Sequence, residues 1–167
     1  MSGSYAFFLH IVAVGMISAV VVGGWVLERR LQKEPDRLLK QHTGTLIRSI
    51  GLVSPFAAVL LLLTGIANIF NVYWGTDRAW YNQPWLVTKL VLFAILVVNG
   101  SLLGPVLNKR RMEMFRAAGA DPSDEPDVPG LTFLNKQISW YYLVQSLLLL
   151  AIIYLSTFGT SKHPGYS

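Results

Sequence analysis

Apolar residues in this chain come in four long, nearly unbroken blocks, not at the spacing of an amphipathic helix or the alternation of a half-buried strand. The blocks cover about residues 5–27, 46–74, 84–107 and 137–159. Each is close to or above the roughly 20 residues a helix needs to cross the hydrocarbon of a bilayer. Pro55 and Pro105 fall in the second and third blocks; membrane helices tolerate proline where neighbouring groups satisfy the freed carbonyls. The segments 28–45 and 108–136 are polar and read as connections. The pattern predicts one domain over 1–167, an all-α integral membrane four-helix bundle running up-down-up-down. A cleaved signal peptide would need a basic stretch ahead of a short apolar core. No Lys or Arg precedes Tyr5 and the first block is long, so it reads as a retained helix.

Composition strengthens this picture. Hydrophobic residues make up 53% of the chain and charged residues 14%, against about 25% charged in soluble domains; mean hydropathy is +0.46. The absence of cysteine excludes disulfides, thiolate metal sites and cysteine nucleophiles. Charge placement then sets direction. Eleven of the fourteen Lys and Arg residues lie in the two connections and their borders, at 29, 30, 33, 37, 40, 48, 109, 110, 111, 116 and 136. Positive residues stay on the cytoplasmic side, so the N and C termini are predicted outside. These charges set topology and do not read as a nucleic-acid surface. The expected location is a bacterial cytoplasmic (inner) membrane, multi-pass. Tyr73, Trp74, Trp80, Tyr81 and Trp85 fit an outer aromatic belt, and Trp140, Tyr141 and Tyr142 an inner one. The Pro-rich acidic stretch 117–130 reads as a solvated cytoplasmic connector, with a docking segment for a partner as the alternative.

Inside the blocks, titratable groups are few, and no carboxylate falls within them. His10 lies about five residues into the first block and Lys89 about five into the third, so both sit roughly 7–8 Å below the outer boundary. Asn68 falls in the same layer, and Tyr154 at a similar depth. Intramembrane charges are costly and usually face the bundle interior. Each residue also has a plainer explanation: Lys89 can snorkel to the interface, and His10 can be a packing residue bonded to a neighbouring helix. Gly15, Ala19 and Gly23 recur at four-residue spacing in the first block, an interval that lets helices approach closely. They lie roughly opposite His10 on the helix, and they offer a face for a homo-oligomer or a larger complex. Trp85 and Lys89 share a face, extended inward by Leu96 and Gly100. A groove capped by Trp85, Lys89 and His10 would accept a flat apolar ligand, and a plain packing groove explains the same residues.

Haem is the obvious flat ligand, with neutral His10 as axial donor to the iron. His42 lies on the cytoplasmic side and His163 beyond the fourth block, so neither is placed to pair with it. The other face would take Lys89, a water or nothing, and Lys89 could instead pair with a propionate. One His, one Lys and one Asn make a weak divalent-metal site. Phosphate-binding loops, dinucleotide fingerprints and zinc-protease or serine-hydrolase motifs are absent.

"FFLHIVAVG" in the first block and "PWLVTKLVLFAILVVNG" in the third resemble the superfamily of small membrane proteins that includes HemJ-type protoporphyrinogen oxidases and CopD-like copper-resistance membrane domains. His10 matches the early histidine of HemJ proteins, and Trp85 with Lys89 their W-x-x-x-K pattern. The resemblance covers roughly the first three blocks. It implies a haem b-binding bundle with His10 as ligand; Asn68 and Lys89, placed in the same layer by depth, are the candidates beside the cofactor. It also implies Lys89 and Trp85 as functional residues in oxidation of a porphyrin substrate, protoporphyrinogen IX to protoporphyrin IX. Tyr81 stands where HemJ proteins carry arginine, Arg78 lies three residues further back, and the first block lacks the tryptophan that they tend to place shortly after the histidine. Two other classes stay open: a non-enzymatic membrane subunit of a larger complex, and a CopD-like metal-handling protein.

Overall fold

The computed structural model describes residues 3–73, 80–117 and 130–158. They form four long helices: α1 (Gly3–Lys33), α2 (Arg37–Tyr73), α3 (Pro84–Ala117) and α4 (Leu131–Phe158). A single 3₁₀ turn, Trp80–Asn82, leads into α3. All four helices are long and apolar enough to cross a membrane, and they make an all-α four-helix bundle. Trp74 and Arg78, most of the 117–130 stretch, Lys162 and His163 lie outside the described residues.

The helices run well past the apolar blocks. At 1.5 Å per residue α1 is about 46 Å long and α3 about 51 Å, against a hydrocarbon core of about 30 Å. Much of 28–45, and parts of 108–136, are therefore helix and not irregular connection. Hydropathy falls where a helix meets water, whereas the helix itself ends only where backbone chemistry stops it. Pro35 blocks continuation of α1, and Asp36 caps α2 by accepting from the amides of Leu38 (2.8 Å) and Leu39 (3.2 Å). Pro84 opens α3, where a missing N–H costs nothing. Gly130, at φ +88°, supplies the left-handed turn into α4, and its carbonyl accepts from Leu134 N–H at 3.0 Å.

Packing follows the order α2–α1–α4–α3, and among the described residues α2 and α3 touch slightly at most. The core is a thin seam of Ala13, Ile17 and Val21 from α1, Ala57 and Leu61 from α2, Leu96 from α3, and Leu149 and Ile152 from α4. Ala13 and Ala57 are fully buried, the small residues that bring α1 and α2 close. Most large apolar side chains point outward instead, Phe8, Leu52, Phe56 and Phe133 among them. Such a surface belongs in lipid, so the chain is a multi-pass integral membrane protein.

The Gly15/Ala19/Gly23 stripe packs nothing within the bundle. A Cβ at Gly15 or Gly23 would have no neighbour within 4 Å, and Gly15 and Ala19 are exposed. The tight glycines are others. A Cβ at Gly24 would stand 2.9 Å from Tyr142, and one at Gly104 3.0 Å from the Tyr141 hydroxyl. Tyr141 and Tyr142 therefore turn into the bundle, against α3 and α1, and are not belt residues; Trp140 is exposed. Four residues separate Gly100 from Gly104, and both face Tyr141.

Gly24→Leu is expected to lower stability by about 1–3 kcal/mol through overpacking against Tyr142. Gly15→Ala should leave stability unchanged or raise it by up to about 1 kcal/mol through helix propensity. Thermal unfolding of both variants in one detergent checks the contrast.

Candidate functional site

Polar side chains gather in two tiers, one near each end of the bundle. The first lies toward the end where α1 begins, the outer end by the positive-inside rule. There His10 Nδ1 lies 3.0 Å from Thr64 Oγ1 on α2. The Thr64 hydroxyl donates to its own helix, to the Leu60 carbonyl at 2.7 Å with Leu61 at 3.3 Å. A hydroxyl has one proton. Because that proton is engaged, Thr64 accepts from His10, and His10 is held as the Nδ1–H tautomer. Nε2 keeps its lone pair. The ring lies over Gly65, with Cε1 3.6 Å from where a Cβ would stand.

Lys89, on α3, is close enough to His10 to act on it electrostatically. Among the described residues no hydrogen bond or ion pair holds its Nζ. Trp85, one turn outward, is partly buried, and so is Asn68, one turn outward from Thr64. Thus α1 and α3 do bring an imidazole and an amine into one layer. Thr64 is the α2 residue that bonds the imidazole. Tyr154 does not join them: it is 62% exposed and packs on Phe158 at a ring separation of 4.9 Å.

The second tier lies at the basic end, and its residues were not among the candidates from sequence. Glu28 of α1 is 3% exposed. Arg111 of α3 grips it with both terminal nitrogens, one of them at 3.3 Å. Arg111 also donates to Asn135 Oδ1 of α4 at 3.0 Å. Gln32 donates to Glu28 at 2.9 Å and to the Asn135 carbonyl at 3.4 Å. Tyr142 stands within electrostatic range of both Glu28 and Arg111. Glu28 and Glu113 thus both lie on membrane-crossing helices just beyond the apolar blocks, but only Glu28 is buried, and Arg111 is a structural residue, not only a topogenic charge. Sequence offered a faint signal: Glu28 is the first charge after the first apolar block, on the turn that follows Gly24.

Between the tiers a cleft of about 580 Å³ opens where α2 and α3 fail to meet. Its back wall carries Gln145, whose Nε2 donates to the Leu96 carbonyl at 3.3 Å. Gln145 Oε1 is buried and has no partner. The cleft runs toward Arg48, Glu28 and Arg111, and none of His10, Asn68, Trp85 or Lys89 borders it. The outer tier and the cleft are distinct features.

For a haem, the outer tier supplies one axial nitrogen with a fixed tautomer and a cation beside it. Metal-bound histidines characteristically donate their other N–H to such a partner. Among the described residues no cluster of three or more His, Asp or Glu could hold a metal ion by itself, so an iron here would depend on the macrocycle for its other ligands. Comparisons with protein-family models, curated proteins and solved structures returned no match.

Imidazole nitrogen shifts test the tautomer lock. The His10 ring should give the nitrogen shifts of an Nδ1–H imidazole with a bare Nε2. Thr64→Val should remove that preference. An Nε2–H signal in the native protein would contradict it.

Proposed function

We propose that this protein is a membrane redox protein that carries a haem b on His10. One observation carries the proposal: His10 Nδ1 lies 3.0 Å from Thr64 Oγ1, a contact that leaves Nε2 free for a ligand inside a membrane helix, where an unused titratable group is costly. A haem bound there would supply one-electron transfer. The chain's own part is then definite. Thr64 orients the ring, and Gly65 leaves room beside Cε1. Lys89, as an ammonium, pairs with a carboxylate of the ligand. Because α2 and α3 do not pack on one another, a flat ligand reaches this layer sideways from the bilayer.

The finer reading is HemJ-like: a porphyrinogen is the substrate, with Lys89 and Trp85 as the residues that touch it. The membrane would then be a bacterial cytoplasmic one. A second reading is favoured by the outward Gly15/Ala19 stripe, which nothing in the bundle covers. It makes the chain a non-enzymatic subunit in a larger membrane complex.

Absorption spectroscopy of the purified full chain, with haem supplied, tests the proposal. A Soret band is expected, absent in His10→Ala and with about 10–100-fold weaker haem affinity in Thr64→Val. A colourless protein, or a band indifferent to His10→Ala, would overturn it. Co-purification of colourless protein with a larger complex would support the subunit reading. If haem binds, porphyrinogen turnover in membranes then decides the finer reading, with loss of turnover expected in Lys89→Ala.

A further inference from the structure

The cleft between α2 and α3 has a length, a depth and a charge that together identify an occupant. Thr64 and Arg48 are 16 residues apart on α2, so Arg48 lies about 24 Å below the His10 tier. Glu28 lies about 27 Å below His10 along α1, and Arg111 about 33 Å below Lys89 along α3. With the His10 tier roughly 7–8 Å inside the outer boundary, Arg48 and Glu28 fall near the inner edge of a hydrocarbon layer about 30 Å thick, and Arg111 lies beyond it and reaches back to Glu28. From Arg48 the cleft extends along α2 to Ala58, about 15 Å. That is the depth of one leaflet's hydrocarbon.

Its walls change character along this length. Ile17, Val20, Val21 and Leu96 line the deep part, and Arg48, Asn108 and Arg111 the shallow part. Arg111 is committed to Glu28 and Asn135. Arg48 is exposed, and among the described residues it has no carboxylate partner, so the mouth of the cleft keeps one uncompensated positive charge. Proline chemistry adds acceptors. Pro55 and Pro105 have no N–H to give the carbonyls of Gly51 and Ser101, and all four residues border the cleft. Gly51 and Ser101 lie at one level, about 18–20 Å below the His10 tier.

We propose that this cleft holds one anionic phospholipid of the cytoplasmic leaflet, its phosphate on Arg48 and an acyl chain along the α2–α3 gap. Basic pockets between membrane helices on the cytoplasmic side are suited to such headgroups. The lipid enters sideways, since no helix closes the gap. Water that follows the headgroup serves the freed carbonyls of Gly51 and Ser101, which need a donor. The site is separate from His10 and does not depend on a ligand there.

Native mass spectrometry of the delipidated full chain tests this, after exposure to equal amounts of phosphatidylglycerol and phosphatidylcholine with the same acyl chains. One retained phosphatidylglycerol is expected, preferred by about fivefold. Arg48→Gln should abolish the preference, and Arg110→Gln, an exposed charge outside the cleft, should keep it. Gly51→Phe and Ser101→Trp, which fill the cleft from opposite walls, should each remove the retained lipid. His10→Ala should change nothing, which separates this result from the haem experiment. Equal retention of both lipids, a preference that survives Arg48→Gln, or retention in both filled variants would overturn the proposal.

Discussion

In a bilayer the lipid is as apolar as the helices, so burial of Leu and Ile does little to hold them together. Close backbone contact and polar bonds between helices have to do it. In this bundle one interaction carries much of that duty. Glu28 of α1 is clasped by Arg111 of α3, and Asn135 of α4 binds the same guanidinium. Three helices meet at one buried charge pair. Each partner is tolerable only because the other is present, since either one left alone would be an uncompensated buried charge. At the opposite end α1 is tied to α2 by His10 and Thr64. The first helix is therefore the hub, and the remaining geometry follows from it.

One consequence is the open side. With α1 bonded to α2 at one end and to α3 and α4 at the other, nothing requires α2 to meet α3. The gap between them gives the bundle a lateral entrance, lined by apolar walls and ending at cations. The tyrosines on α4 help hold it in shape. Tyr142 fills the space that Gly24 leaves on α1, and Tyr141 the space left by Gly100 and Gly104 on α3. Small residues thus do two kinds of work here: Ala13 and Ala57 bring α1 and α2 together, and Gly24, Gly100 and Gly104 admit aromatic rings with hydroxyls.

The four spans were legible in the sequence because crossing hydrocarbon demands an unbroken apolar length, and few other structures do. The helix ends were not, because α1 and α3 continue into water on residues such as Arg29, Arg30 and Arg110 that suit helices and aqueous surroundings alike. His10 and Lys89 stood out as isolated titratable groups. Thr64 did not, because a threonine in an apolar helix usually satisfies itself on its own i−4 carbonyl. Thr64 does that too, and it is this bond that leaves its oxygen free to accept from His10. Glu28 and Arg111 were hidden among the charges at the membrane boundary, where composition cannot separate a buried pair from topogenic residues. The Gly15/Ala19/Gly23 spacing looked like a packing face, but spacing alone does not reveal which side of a helix meets a neighbour. Gly24 does, one residue on.

Glu28 and Arg111 join three helices, and a double-mutant cycle on this pair tests their role most directly. Glu28→Gln and Arg111→Met would be measured singly and together in the same detergent or bilayer. Each single change is predicted to destabilise the protein by about 3–5 kcal/mol, and the double change by far less than the two combined. Additive effects, or a coupling no larger than the roughly 0–1 kcal/mol of an exposed ion pair, would contradict the claim that this contact holds the bundle together.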